Sequence, residues 1–242
     1  MLSELPQHRV LLTRPYYIAA TEVTVGQLKR LLKADRTLQT QADRDDVWKT
    51  PTWHTPGHKL SDDSPLVWIT WNDADQICAL LADVESKLDR DKNQPAAAAR
   101  YRLPTEAQWE HACRAGSLTR YSWGDSPQEA DAFGWFNSTA GESSQAVAAK
   151  TANAFGLYDM HGNVAEWCRD VYGKYDEAAT ASPANVDPTG PTSGTTRVIR
   201  GGGWSTAPQR TAARYHRGTD FRSSQHGFRM VLELDPGAKA AE

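Results

Sequence analysis

Cysteine is scarce in this chain: Cys78, Cys113 and Cys168 are the only three among 242 residues. An odd number at wide spacing, with no Cys-x-x-Cys, supports neither a disulfide framework nor a structural zinc site. Three reduced, buried thiols are the simpler reading, and they fit a cytoplasmic location. Long apolar runs are missing as well. Nothing approaches the roughly 20 residues needed to cross a bilayer, so no membrane partner is expected. Charge of one sign is also lacking, since the net value is −3; without a basic field, nucleic acid is not expected as a partner. The N-terminal MLSELPQHRVLL has no charged region followed by an apolar stretch and a cleavage site, so it does not read as a secretory signal. The Gly-x-Ser-x-Gly elbow and the phosphate loop are absent, and Gly201 to Gly203 opens no helix, so it reads as close backbone packing. His54 and His58 have the spacing of a metal pair, but Pro56-Gly57 between them prevents a shared helical face.

Helix starts, by contrast, are well marked. Thr24 with Gln27 three residues on reads as a capping box, followed by Leu28, Leu31 and Leu32 at helical spacing. A second helix is predicted from Thr70 to Asp73 onward, with Ile77, Leu80, Leu81, Val84 and Leu88 on one face. Thr105 and Gln108 repeat the first device, and Gly116 supplies a residue that tolerates the left-handed conformation at the end. Strand candidates are short, at 10–12, 16–18, 66–69, 198–200 and 228–232, bounded by turn formers. From 173 to 196 the chain is mostly Pro, Gly, Ser, Thr and Asp, which predicts a long surface loop. Residues 94–99 and the tail from 236 read as linker-like.

The stretch Gly156 to Trp167, GLYDMHGNVAEW, follows neither helical nor strand periodicity and reads as a built loop. Calcium takes six to eight oxygens, from carboxylates and carbonyls around a sharply turning backbone. Asp159 and Glu166 offer side-chain oxygens, while Gly162 and Val164 could present carbonyls. The alternative is that Asp159 closes a turn and Glu166 pairs with a nearby arginine.

Together with Arg102 to Gly116 (RLPTEAQWEHACRAG), Arg197 to Ser205 (RVIRGGGWS), His226 to Leu234 (HGFRMVLEL) and Glu22-Val23-Thr24, this loop resembles the formylglycine-generating enzyme family, also called the sulfatase-modifying-factor family. The resemblance implies an α+β, compact, loop-rich, C-type-lectin-like fold with few short strands and about three helices. Residues 1–234 would form one domain and 235–242 a flexible tail. It also implies that Asp159, Gly162, Val164 and Glu166 form a structural calcium site. The family's other calcium site uses an Asn and an Asp; Asn137 matches the first, but Val147-Ala148-Ala149 stands where the second would fall. A strand bearing a Phe-x-Met-Gly pattern usually precedes the Pro6-Gln7-His8 region, so the chain reads as part of a longer protein with an additional domain.

Copper-dependent members hold Cu(I) between two cysteines near the C-terminus, because soft thiolates select that ion. Trp204 to Gln225 contains no cysteine, and Thr211 is read in the place of a thiolate within Arg210-Thr211-Ala212-Ala213-Arg214. No copper is therefore expected. The same segment carries Trp204, Arg210, Thr211, Arg214, Tyr215, His216 and Arg217, with Phe221 and Arg222 beyond, a mixture of aromatic faces and guanidinium forks typical of recognition surfaces. Arg210, Arg214 and Arg229 match arginines found across the family and read first as internal braces. The expected function is a non-copper member, stabilised by calcium, that binds a peptide, protein or small-molecule ligand. Two alternatives stay open. One is an oxidoreductase using another metal or cofactor, like relatives in metallophore maturation; the other is a retroelement-diversified display protein with a variable segment before the terminal Gly-Phe-Arg.

Overall fold

The computed structural model describes residues 4–34, 60–91, 99–175 and 185–234. Among these residues the three longer helices each begin at a reciprocal cap, as the sequence spacing requires. Helix α1 (Val25–Ala34) follows Thr24, whose hydroxyl accepts from the Gln27 N–H at 3.2 Å while Gln27 Oε1 accepts from the Thr24 N–H at 2.9 Å. Helix α2 (Trp71–Asp91) repeats the device with Thr70 and Asp73, at 3.0 and 2.8 Å. Helix α3 (Glu106–Arg114) uses Thr105 and Gln108. It closes through two left-handed residues, Ala115 with φ 47° and Gly116 with φ 89°, one residue earlier than the glycine alone suggests. A 3-10 turn (Pro127–Glu129) leads into a fourth, short helix, α4 (Ala130–Phe133).

The strands are β1 (Val10–Leu11), β2 (Tyr16–Ile18), β3 (Ala99–Arg102), β4 (Ala165–Val171), β5 (Asn185–Val186), β6 (Thr196–Arg200), β7 (Tyr215–Gly218), β8 (His226–Gly227) and β9 (Val231–Leu234). Strands β1 and β5 pair in parallel; β9 lies between β2 and β3, antiparallel to both; and a four-stranded sheet runs β7-β6-β4-β8. The α+β architecture with short strands and long connections is the one expected. Two strand expectations are corrected. Residues 66–69 do not form a ladder, because Leu66 donates to the Val23 carbonyl at 2.7 Å, Trp68 donates to that of Ser223 at 3.0 Å, and Trp68 turns left-handed at φ 59°. The run is apolar because Leu66, Val67 and Ile69 are buried. Of 228–232, only the end from Val231 pairs, since Phe228 and Arg229 turn into the interior. The His54 and His58 pair, residues 94–98 and the 235–242 tail lie outside the described residues.

Strand β4 is buried almost throughout, and its alternating residues feed two cores. Trp167 joins Leu28, Leu66, Ile77, Leu103 and Phe228 in one; Cys168 joins Trp109, Cys113, Met160 and Val198 in the other. Among the described residues, no helix is long and apolar enough to cross a membrane.

Asp170, also on β4, accepts the Glu106 N–H at 2.9 Å and so fixes the start of α3. Burial pushes its carboxyl up to about 7, outweighing that hydrogen bond. The unfolded chain releases this proton near 3.9. Asp170 therefore contributes most to stability below the ordinary aspartate range, and the contribution is lost as pH rises through about 7. The Asp170→Asn variant keeps an acceptor oxygen and no longer titrates. Urea unfolding at about pH 4 and about pH 8 is expected to show it gaining on the parent as pH rises; a constant gap would mean that Asp170 ionises normally.

Candidate functional site

The loop read as cation-binding is sharply folded. Asp159, Gly162 and Asn163 have φ values of 56°, 80° and 52°. At Gly162 a Cβ would lie 2.3 Å from the Trp135 carbonyl oxygen, so only glycine fits. The loop is stitched to the glycine-rich segment: Gly162 donates to the Gly201 carbonyl at 3.1 Å, and Trp204 donates to that of Asn163 at 2.7 Å.

Behind the loop, Glu22, Asp159 and Glu166 are buried around Arg229. Arg229 grips Glu166 with two bonds, Nη2 to Oε1 and Nε to Oε2, both 2.7 Å, and Trp109 Nε1 donates to Oε2 at 2.7 Å. The other guanidinium donors reach the carbonyls of Ala19 at 3.1 Å, Ala20 at 3.3 Å and Tyr158 at 2.8 Å. Glu166 thus has an arginine partner: its Oε2 accepts two N–H groups, while Oε1 accepts one and keeps a lone pair.

Among the described residues no donor reaches Glu22 Oε2 or Asp159 Oδ1, and the two carboxyl groups stand within hydrogen-bonding reach of each other, where one proton would join them. The companion oxygens are engaged: Asp159 Oδ2 accepts the Ala148 N–H at 2.8 Å, and Glu22 Oε1 faces the Val164 N–H at 3.4 Å. Three carboxylates against one guanidinium leave a formal excess of two negative charges in the interior. Burial, then the charges of Asp159 and Glu166, pushes the Glu22 carboxyl well above the usual range; burial also pushes Asp159 up. Among the described residues no three His, Cys, Asp or Glu side chains converge as a metal cage. An all-oxygen set of two carboxylates, with backbone carbonyls to complete it, suits calcium and not a softer ion. Glu22 is missing from the sequence-derived set; its signal was a lone acid followed by Val23 and Val25 just ahead of a helix cap.

The residues of the candidate ligand surface separate. Thr211 is buried, its hydroxyl donating to the Arg120 carbonyl at 3.1 Å. Arg214 is buried too, gripping Glu106 through two bonds of 2.6 Å and lying 3.7 Å from the Tyr175 ring centroid. Both are removed from the surface. Arg200 explains why: fully buried and paired with Glu110, it donates to the carbonyls of Thr211 at 3.0 Å, Ala212 at 2.9 Å and Ala213 at 2.7 Å, fastening that run inward. Arg210 is partly covered and pairs with Glu4 at 2.6 Å. Trp204 is half-buried, its indole N–H on the Ser224 carbonyl at 3.1 Å. Tyr215, His216 and Arg217 remain exposed on β7, with His216 stacked on Tyr172 at 4.1 Å and Arg217 lying 5.3 Å from the Phe221 ring centroid.

A family model described as "Sulfatase-modifying factor enzyme 1-like domain" matches residues 2–234. The chain belongs to that family. It is 35% identical over 206 residues to a formylglycine-generating enzyme of Thermomonospora curvata, covering 77% of this chain and 61% of that relative. It is 40% identical over 133 residues to the serine/threonine-protein kinase pkn1 of Chlamydia caviae, covering 54% of this chain and 21% of the kinase. The chain thus spans about three-fifths of the first relative and a fifth of the second. Treponema denticola variable protein 1 shares the fold, with a TM-score of 0.71 at 24% identity over 93% of this chain and 87% of that one.

In this sulfatase-modifying-factor domain the three thiols are free and buried. Cys113 Sγ lies 3.4 Å from His161 Nε2, and His161 Nδ1 lies 3.0 Å from the Gln209 carbonyl. A carbonyl only accepts, so Nδ1 carries the proton and Nε2 faces the thiol. Burial pushes Cys113 up to about 12 and His161 down to about 4, which makes this a neutral thiol–imidazole contact and not an activated pair. Burial likewise raises Cys78 and Cys168.

Proposed function

We propose that this chain is a calcium-stabilised, ligand-binding member of its family that does not carry out copper–thiolate oxidation. A copper centre of that kind draws on accessible thiolates. Residues 204–225 contain no cysteine, and the three thiols elsewhere are buried and held protonated. Formylglycine generation therefore stays with the relatives. Free thiols suit a reducing compartment, and a cytoplasmic location belongs to the same reading.

Calcium is supported by the orphaned Glu22 Oε2 and Asp159 Oδ1. The carbonyls of Gly162 and Val164 would add to that oxygen set. Bound there, the ion supplies the positive charge that the buried carboxylates lack. Ligand binding is supported by β7, which is the edge of its sheet and carries exposed Tyr215, His216 and Arg217 beside Phe221. An edge strand offers unpaired backbone groups to an extended peptide, and aromatic and arginine side chains anchor it.

Two measurements test these halves. A peptide containing Cys-x-Pro-x-Arg, incubated with the chain and copper, is expected to keep its thiol by mass spectrometry; conversion would overturn the non-copper reading. Peptides selected on the immobilised chain from a display library are expected to bind Tyr215→Ala and Arg217→Glu at least about tenfold more weakly. Unchanged affinity would move the site away from β7.

A further inference from the structure

Two adjoining hollows lie elsewhere on the chain, and neither is lined by any residue of 204–225. The first, about 310 Å³, gathers Arg14, Arg100, Arg102 and Arg169 around Asp187 and Glu233. The second, about 650 Å³, is walled by Tyr16, Tyr17, His111, Phe155 and Leu157. They share Leu12, Arg14 and Pro15, so one passes into the other.

The first hollow is built for negative charge. Asp187 is already committed, accepting from the backbone N–H of Thr13 at 2.8 Å and from its hydroxyl. Glu233 accepts from Gln108 at 3.1 Å, but stands 3.7 Å from both Arg102 Nε and an Arg169 nitrogen, beyond hydrogen-bonding length. Arg102 Nε is buried and has no hydrogen-bond partner among the described residues. Three of these guanidiniums, Arg14, Arg102 and Arg169, face two carboxylates, which leaves the hollow an excess of positive charge. A buried guanidinium N–H without an acceptor is unfavourable, and an oxyanion is the group whose geometry matches that planar fork.

The second hollow is built for an apolar body. Tyr17 is 66% exposed and Phe155 53%, a large aromatic area for two neighbouring residues to leave open. The Tyr16 hydroxyl is spent internally, donating to the Gln108 carbonyl at 3.0 Å and meeting His111 Nδ1 at 2.8 Å, so its ring is left as wall. The combined volume lies in the range of small-molecule sites.

We infer that the paired hollows bind a small amphipathic organic anion, with its carboxylate or phosphate on Arg14, Arg102 and Arg169 and its apolar part against Tyr17 and Phe155. The site is independent of strand β7 and of the calcium cluster. Calorimetric titration with phenyl phosphate, benzoate, inorganic phosphate and benzyl alcohol tests it. At least one aromatic anion is expected to bind saturably, about tenfold or more tighter than benzyl alcohol and than inorganic phosphate, and to weaken with added salt. Whichever of the two wins identifies the head group. Arg14→Glu and Tyr17→Ser alter exposed rim residues and leave the fold in place, which circular dichroism verifies. The first is expected to weaken every anion about tenfold; the second weakens the aromatic anions and leaves inorganic phosphate unchanged. Binding of benzyl alcohol equal to that of the anions, no saturable binding by either aromatic anion, or full affinity in Arg14→Glu would each overturn the inference.

Discussion

Glu166→Ala is expected to lower the free energy of unfolding by about 3–5 kcal/mol, the cost of leaving a buried charge without its partner. Glu166 and Arg229 are both 0% exposed, and the substitution removes the carboxylate that accepts from Arg229 Nε and Nη2, leaving those buried N–H groups unsatisfied although Glu22 and Asp159 remain as nearby charges. The indole N–H of Trp109 loses its acceptor in the same step. Arg229→Met is expected to cost at least as much, since it leaves Glu22, Asp159 and Glu166 facing one another with no cation between them. Urea unfolding followed by tryptophan fluorescence measures both. A loss below about 1 kcal/mol, the level of an exposed ion pair, would show that the pair is hydrated in solution and braces nothing.

Removal of calcium is expected to give the second large effect. A ligand present at about 100 times its dissociation constant stabilises the folded state by about 2.7 kcal/mol, which in a chain of this size corresponds to a fall of about 5–10 °C in Tm when a chelator is added. The control is Glu22→Gln, which removes one orphaned oxygen's charge while keeping its shape. That variant is expected to ignore the chelator. Chelated, it should be no less stable than the chelated parent, because a buried carboxyl that has lost its counter-ion is a liability the amide does not share. If the parent's Tm does not respond to chelator or to added calcium, the calcium assignment fails, and the cluster balances its charge with a proton instead.

The helices were legible because their signals are local. Thr24 with Gln27, Thr70 with Asp73 and Thr105 with Gln108 each close a hydrogen-bonded box within four residues, and nothing distant is needed to form it. Strands were less legible because pairing is decided across the chain. The apolar run 66–69 looks like a strand but donates to Val23 and Ser223 in turn, two partners that no single ladder holds. Strand β4 hid inside the cation loop's C-terminal end, since a strand buried on both faces shows no alternation. The site divides in the same way. Asp159 and Gly162 were readable from a loop that must turn sharply, whereas Glu22 lies 137 positions upstream of Asp159 (159 − 22) and joins it only through the tertiary fold. Thr211 reads as a surface residue because exposure cannot be read from residue type, whereas Arg214 reads first as an internal brace and is one. Arg200, buried and 14 positions ahead of Arg214 (214 − 200), pulls that run inward.

The position of β9 imposes an order on assembly. It is the middle strand of its sheet, and β2, made more than two hundred residues earlier, has no neighbour in that sheet until Val231 to Leu234 arrives. Arg229, just ahead of it, also supplies the clasp that joins Ala19, Tyr158 and Glu166. A nascent chain emerging from the ribosome therefore completes its helical caps early but cannot close this sheet until synthesis has passed Leu234, so β2 and β3 wait unpaired in that sheet for the strand made last of the three.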